Sequence, residues 1–126
     1  MLAELGIPLV VQRTLLHWFQ PGGTALTVGS MPIFLFQRHD GAIIYGLPMS
    51  ADQLGVKVAF HNRQNDECQP DRIERTVSPR EIQDADGQFS GLIPMIRGTH
   101  VKSKACMYTM TPDEHFVIDK APGHPQ

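Results

Sequence analysis

The chain has 126 residues, a formal net charge of −2 and a sequence pI near 6.3. This length suits one domain with a hydrophobic core, but it is too short for a dinucleotide-binding domain and a substrate domain together. There is no basic surplus for binding nucleic acid, and no apolar run approaches the length of a membrane span. We therefore expect neither nucleic-acid nor membrane partners. Because the start shows no signal peptide, we expect a cytoplasmic protein.

Four strands are predicted in the first half of the chain. They are rich in aliphatic, β-branched and aromatic residues, and they cover residues 8–20, 32–38, 42–47 and 56–61. Asp40 and Gly41 lie between the second and third strands and indicate a tight hairpin, because both residue types accept the positive φ angles that such a turn needs.

A helix is predicted after Ser78, because Ser78 can cap it, Pro79 suits the first helical position and Glu81 completes a capping box. Apolar residues then recur at helical spacing on one face: Ile82, Ala85, Phe89, Leu92 and Ile93. Pro94 is expected to end the helix near its last turn.

Two further strands are predicted after the helix, a fifth at about residues 104–109 and a short sixth at residues 116–119. Four strands, one helix and two strands predict an α+β domain. Its mainly antiparallel sheet would have about six strands, with the helix packed on one face. Both ends of the chain look like interior sequence, so we expect a piece of a longer protein.

Strand alternation places several reactive side chains together. In the fourth strand Lys57 and His61 share one face, while Val56, Val58 and Phe60 occupy the other. In the fifth strand Cys106 and Tyr108 lie side by side, about 7 Å apart at Cα by strand rise. A row of ordinary polar residues facing solvent and a buried, inert cysteine are the competing interpretations.

Other kinds of site find little support in the sequence. Asp113, Glu114 and His115 are consecutive and would point to alternate sides of an extended chain, so a turn into Phe116 is a better interpretation than a metal site. The chain has no phosphate-binding loop, no nucleophile elbow and no Gly-x-Gly-x-x-Gly segment. Cys68 lies in a polar loop and is assigned no role.

Residues 106–119, which begin Cys-Met-Tyr-Thr and contain Asp-Glu-His-Phe, resemble the flavin-attachment segment of the monomeric sarcosine oxidase and N-methyltryptophan oxidase family. Residues 44–48 and 55–61 resemble upstream segments of that family, and residues 13–19 resemble the strand that begins its substrate domain. The resemblance covers nearly the whole chain. It implies that residues 1–126 form the substrate domain, and that the Rossmann domain for FAD lies elsewhere in the same polypeptide.

The resemblance also implies roles for single residues. Cys106 would hold FAD covalently, through a thioether to the dimethylbenzene ring of the flavin. Tyr108 would line the substrate pocket, and Tyr45 would bind substrate from a loop near it. His61 would stand beside the substrate amine and the flavin. Lys57 would lie where reduced flavin meets molecular oxygen. A fixed ammonium there would stabilise the negative charge that oxygen gains on reduction.

The implied reaction is oxidation of a secondary amine, such as sarcosine or another N-methyl amino acid, with production of hydrogen peroxide. The chain by itself is expected to be inactive and without FAD, because half of the site would belong to the missing domain. Two other interpretations stay open: a substrate domain of the glycine oxidase or D-amino-acid oxidase type, and a non-enzymatic α+β binding module. Cys106 favours the sarcosine oxidase branch.

Overall fold

A computed structural model describes residues 6–52, 54–61, 66–120 and 123. In these residues the regular elements are β1 (Val10–Phe19), β2 (Phe34–Gln37), β3 (Ile43–Leu47), β4 (Val56–His61), α1 (Pro79–Leu92) and β5 (His100–Met110), with single 3-10 turns at Pro70–Arg72 and Pro94–Ile96. The strands form one sheet in the order β2-β3-β4-β1-β5, and every pairing is antiparallel. The helix packs on one face, which confirms the predicted α+β architecture.

The ten-residue strand β1 organises the sheet, because it pairs with β4 along one edge and with β5 along the other. Beyond the end of β4, residues 66–68 pair with the same edge of β1. The Arg13 amide donates to the Asp66 carbonyl at 2.7 Å, and the Cys68 amide donates to the Val11 carbonyl at 2.8 Å. The backbone of β1 is therefore paired on both sides over most of its length.

The predicted hairpin joins β2 to β3, but its turn is longer than the tight turn expected. The Arg38 amide donates to the Ala42 carbonyl at 2.8 Å, which leaves a loop of residues 39–41 between them. Gly41 has a φ of 84°, whereas Asp40 is not among the non-glycine residues of positive φ. A three-residue loop needs positive φ only at its last position, which explains why glycine alone adopts it here.

The helix α1 begins as predicted. The Ser78 amide donates to Oε2 of Glu81 at 2.7 Å, and the Glu81 amide donates to Oγ of Ser78 at 3.3 Å, which completes the capping box. Ala85 and Phe89 on the predicted apolar face are buried. Gly87 does not interrupt the helix, which ends at Leu92 before Pro94.

The core lies between α1 and one face of the sheet, here called the helix-covered face. Its largest fully buried side chains are Phe19, Ile44, Val56 and Val58 from the strands, Phe89 from α1 and Ile96 from the following turn. The opposite side of the sheet is called the helix-free face and carries Trp18, Tyr45, Lys57, His61, Lys102, Cys106 and Tyr108. The alternation predicted for β4 is confirmed.

Gly55 permits the close approach of β4 to β1. It has a φ of 80°, and a Cβ atom at this position would overlap the backbone carbonyl of Phe19. Only glycine combines that backbone conformation with the lack of a side chain. The start of β4 is thereby set against the buried end of β1.

The predicted sixth strand is wrong. Residues 116–119 have no regular secondary structure, and Phe116 and Ile118 are 97% and 94% exposed. Their apolar composition suits a strand, but no neighbouring strand of the described chain pairs with them, and an isolated strand has no stability of its own. In contrast, β5 is longer than predicted and starts at His100.

The strand β5 lies at the end of the sheet and pairs with β1 only, among the strands that the structure describes. It is eleven residues long, and Lys102 and Lys104 are exposed on it. No helix in the described part of the chain is long and apolar enough to cross a membrane.

Candidate functional site

Strand register brings the predicted site residues to one surface. Trp18 pairs with Lys57 of β4 on one side and with Lys102 of β5 on the other, so these three side chains form a row across the sheet. Directly paired residues point to the same face. Since Cys106 and Tyr108 follow Lys102 at even spacing along β5, they share the helix-free face with Lys57.

Three predicted residues meet in a ring cluster on this face. The loop predicted for Tyr45 is wrong, since Tyr45 lies within β3 and pairs with Ala59 of β4. The His61 ring lies 6.4 Å from the Tyr45 ring and 5.7 Å from the Tyr108 ring, measured between centroids. Burial, and then interaction with the Tyr108 hydroxyl, raise the pKa of Tyr45 above its ordinary value. Tyr45 therefore stays a neutral phenol, able to donate a hydrogen bond, while the exposed His61 ring remains open to a ligand.

Lys57 is held beside the ring cluster by aromatic side chains. Its Nζ atom lies 5.9 Å from the centroid of the Trp18 ring and 5.8 Å from that of Tyr45, both within the range of cation–π contacts. Within the described residues no carboxylate forms an ion pair with Lys57. The ammonium on this face is thus fixed in place without being neutralised.

Cys106 lies on the same face, two residues before Tyr108 on β5. It is exposed and has no disulfide partner, and its thiol donates only a long contact of 4.0 Å to the Met107 carbonyl. In register it lies opposite Thr14, four residues along β1 from the Trp18 row. An exposed thiol is accessible to a covalent partner, unlike the buried, inert cysteine that the sequence also allowed.

A cavity of about 460 Å³ opens beside the ring cluster. His61 and Tyr108 line it from the sheet, and Glu114, His115 and Phe116 line it from the segment that follows β5. Its volume falls within the range of small-molecule pockets. The turn predicted at residues 113–115 is present, with Oγ1 of Thr111 donating to the His115 carbonyl at 2.8 Å.

A polar network on the helix-covered face is not evident from the sequence. Nη1 of Arg13 donates to Oε1 of Glu81 at 2.6 Å, and the same guanidinium donates to the carbonyls of Glu74 and Thr76 at 2.7 and 2.9 Å. The hydrogen bond from Arg13 lowers the pKa of Glu81 to about 2. This network ties β1 to the helix and to the loop before it, so its role is structural.

A second, partly buried network joins His17, Ser103 and His100. Oγ of Ser103 lies 2.7 Å from Nδ1 of His17 and 2.7 Å from Nε2 of His100, so the hydroxyl bridges the two rings. His17 is only 3% exposed, and desolvation, followed by the charge of His100, lowers its pKa to about 4. It is a neutral core residue at neutral pH.

Trp18 and Lys102 are the members of the helix-free face that sequence reasoning missed. The Nζ atom of Lys102 lies 4.6 Å from the centroid of the Trp18 ring. Alternation alone would have placed Lys102 with Cys106 and Tyr108 if the fifth strand had been extended to its observed start. To place Trp18 on this face, one must know the register of β1 against β4, which no local sequence pattern reveals. In the described residues no three His, Cys, Asp or Glu side chains are grouped as a metal site requires.

Comparison with known proteins relates the chain to amine oxidases. It is 40% identical over 128 aligned positions to a monomeric sarcosine oxidase of Streptomyces avermitilis, covering 99% of this chain and 33% of that protein. It is 30% identical to an N-methyl-L-tryptophan oxidase of Salmonella heidelberg and 31% identical to a monomeric sarcosine oxidase of a Bacillus species, each match covering 94% of this chain and 31% of the relative. No family model matches the chain.

The resemblance predicted from the sequence is confirmed, since these matches extend along nearly the whole chain. The chain spans about a third of the length of the curated relatives that it matches.

Proposed function

We propose that this chain is the substrate domain of a longer FAD-dependent oxidase that converts secondary amines, such as sarcosine or other N-methyl amino acids, with production of hydrogen peroxide. The observation that carries the proposal is the shared helix-free face of Lys57, His61, Cys106 and Tyr108 in a chain related to sarcosine oxidases. The FAD domain would be supplied by the rest of the same polypeptide. A cytoplasmic location stays a prediction from the sequence.

The side chains on this face suit a flavin. Cys106 offers an exposed thiol for covalent attachment, and Lys57 offers an uncompensated positive charge on the same surface. The indole Nε1 of Trp18 is buried and has no hydrogen-bond partner among the described residues, so a donor remains to be satisfied there. When bound, FAD would supply the two-electron chemistry between the amine and oxygen.

Lys57 would act on the oxygen side of the reaction. Its ammonium is fixed before reaction and lacks a carboxylate partner, so it can stabilise negative charge as oxygen is reduced. A preorganised charge of this kind costs no reorganisation at the moment of reaction. An ion-paired lysine would have most of that effect cancelled.

His61, Tyr45 and Tyr108 would form the substrate side. The two phenols flank the exposed imidazole, and His61 and Tyr108 line the cavity of about 460 Å³, which has room for a small amino acid. Aromatic walls bind the methyl group and the chain of an N-methyl amino acid, and the imidazole can accept a hydrogen bond from its amine. Which amine is preferred depends on groups outside this chain.

The test uses the complete protein that contains this chain. We expect it to keep its yellow colour on the polypeptide after acid precipitation, with the flavin on the peptide that contains Cys106. Cys106→Ser should release the flavin into the acid supernatant. A wild-type protein that loses its flavin to acid would refute covalent attachment through Cys106.

A substrate screen separates the proposed activity from the other two interpretations. Peroxide release with sarcosine and other secondary amines, but not with glycine or D-alanine, supports the sarcosine oxidase type. The reverse preference would identify a glycine oxidase or D-amino-acid oxidase type. A complete protein without flavin or peroxide production would leave the binding module, which the relatives do not favour.

A further inference from the structure

We propose that Trp18 is a positioning residue for Lys57, whose ammonium it holds on the helix-free face with Tyr45 as the second ring. What the ammonium does there rests on the function proposed above. The positioning itself rests only on the geometry of these three side chains.

Trp18 is a rigid support. Its side chain lies on the central strand β1 between β4 and β5, and only 9% of the residue is exposed. A bulge follows directly, since the pairing of β1 with β5 shifts between Trp18 and Phe19. The indole is packed between neighbouring strands and has little freedom to move. A group that contacts it is therefore held in a defined position.

Two rings define the place of the Lys57 ammonium better than one. Its Nζ atom is 5.9 Å from the Trp18 centroid and 5.8 Å from the Tyr45 centroid, so it lies between a ring on β1 and a ring on β3. Ring faces attract an ammonium through their quadrupoles and do not remove its charge. A lysine side chain held in this way keeps its N–H donors available for a further partner.

No carboxylate of the described residues holds either lysine beside the indole, since neither Lys57 nor Lys102 forms an ion pair with one. Lys102 approaches the same indole at 4.6 Å, which places a second positive charge on the ring. Repulsion between the two ammonium groups disfavours the movement of Lys57 across Trp18 and favours its position towards Tyr45.

The experiment measures the two half-reactions separately in the complete flavin-loaded protein by stopped-flow absorbance. Trp18→Leu keeps an apolar side chain but removes the ring, and Trp18→Phe keeps a ring. We expect Trp18→Leu to lower the rate constant of reduced enzyme with oxygen by between about fivefold and about thirtyfold, as the loss of a cation–π contact implies. Flavin reduction by the amine should change by less than about twofold, and Trp18→Phe should restore most of the oxygen rate.

A structural role alone would lower both half-reactions together, and that result would overturn the proposal. An unchanged oxygen rate in Trp18→Leu, or a Trp18→Phe rate as low as that of Trp18→Leu, would overturn it as well. Lys57→Met is the reference variant: if it leaves the oxygen rate unchanged, the role proposed for Lys57 fails.

A second measurement tests the positioning without using the reaction. In the chain labelled with ¹³C-lysine, the side-chain signals of Lys57, identified by their loss in Lys57→Met, should be shifted upfield by the rings. Trp18→Leu should move them towards free lysine, and Trp18→Phe should retain most of the shift. Identical Lys57 signals in wild type, Trp18→Leu and Trp18→Phe would show that Trp18 does not hold Lys57, whatever the reaction rates.

Discussion

The two faces of the sheet are built from alternate residues of the same strands, yet they are held in different ways. On the helix-covered face Val56 and Val58 are fully buried against α1, and their neighbours are apolar. On the helix-free face Lys57 lies between them in sequence but rests on aromatic rings, and the exposed His61 and Cys106 share this face. The comparison teaches that one strand can supply both the buried core and the proposed site, because its even and odd positions point to opposite faces.

Each face also contains residues that depart from this division, and His17 and Trp18 are two of them. His17 is a polar residue buried on the helix-covered face, where its Nδ1 atom is hydrogen-bonded to Oγ of Ser103, which also bridges to His100. Trp18 is a large apolar residue buried on the helix-free face, with an indole nitrogen that lacks a partner in the described residues. The imidazole of His17 thus has a partner within the chain, whereas the buried indole nitrogen has none among the described residues.

The largest difference between the faces should appear when a core ring is removed. Phe89 is fully buried and contacts Phe19 and Phe60 with ring centroids 6.2 and 4.9 Å apart. Phe89→Ala should lower the free energy of unfolding by about 3–5 kcal/mol, through lost burial and a residual cavity. Urea denaturation followed by circular dichroism measures this.

Phe116→Ala is the matched control, because the same chemical change is made at a side chain that is 97% exposed. It should change the free energy of unfolding by less than about 0.5 kcal/mol. Equal losses in the two variants would mean that α1 does not cover the sheet as described.

The next largest effect concerns pH and the buried imidazole. The pKa of His17 is lowered to about 4 from an ordinary value of 6.5, so between these values the unfolded chain binds a proton that the folded chain does not. Stability should therefore fall by roughly 2–3 kcal/mol as the pH drops from 6.5 to 4. Denaturation curves at pH 7 and pH 4.5 give the slope.

His17→Leu should be less stable than the wild type at neutral pH, but its stability should depend less on pH between 4 and 6.5. His61→Gln, on the exposed side of the sheet, should keep the slope of the wild type. If the stability of His17→Leu depends on pH with the same slope as the wild type, His17 is not the source of that pH dependence.

A smaller effect belongs to the Arg13–Glu81 pair. The pKa of Glu81 is about 2 in the folded chain, below its ordinary value of 4.5, because Arg13 donates a hydrogen bond to its carboxylate. The pair therefore contributes stability that is fully present above pH 4.5 and is lost as the pH falls through 2. Since the Glu81 side chain is 33% exposed, solvent screening limits the loss to about 1–2 kcal/mol.

Acid unfolding of Glu81→Gln checks this, because the variant should be less stable at pH 7 yet lose less stability between pH 4.5 and pH 2. Gln83, exposed on the same helix, provides a control through Gln83→Ala. If Glu81→Gln and wild type lose the same stability between pH 4.5 and pH 2, the Arg13–Glu81 ion pair is not the cause of that loss.

The smallest effects should come from the helix-free face. Lys57→Met removes an ammonium held by cation–π contacts, and Cys106→Ser removes a thiol without a disulfide partner, so each should change the free energy of unfolding by less than about 1 kcal/mol. Thermal melts of the chain measure both. A large loss of stability in either variant would show that the helix-free face also contributes to folding, contrary to the difference described between the two faces.

Much of the fold could be predicted because local rules and tertiary packing agree. The capping box of Ser78 and Glu81 fixes where α1 begins, and alternation in β4 fixes which residues face it. The failure at residues 116–119 has the opposite cause, since a strand is defined by its partner and composition alone supplies none. The residue type of Asp40 predicts a turn, but the loop length is set by the pairing of Arg38 with Ala42.

The sequence predicts the site one strand at a time. Alternation places Lys57 with His61 and Cys106 with Tyr108, but it cannot say that the two pairs share a face. That fact depends on β1, which lies between β4 and β5 and sets the register of both. Contacts between strands, such as those of Trp18 with Lys57, are therefore beyond sequence patterns.

The outer edge of β5 has a practical consequence for work with the isolated chain. No strand of the described residues pairs with this edge. A row of unpaired amide and carbonyl groups on a long strand can accept the same strand from another molecule, which makes filaments or precipitate. Lys102 and Lys104 oppose this contact, since two copies brought together would align like charges. That protection is electrostatic and shrinks as salt screens it, so concentrated samples should stay clear at low ionic strength and turn cloudy as salt is added.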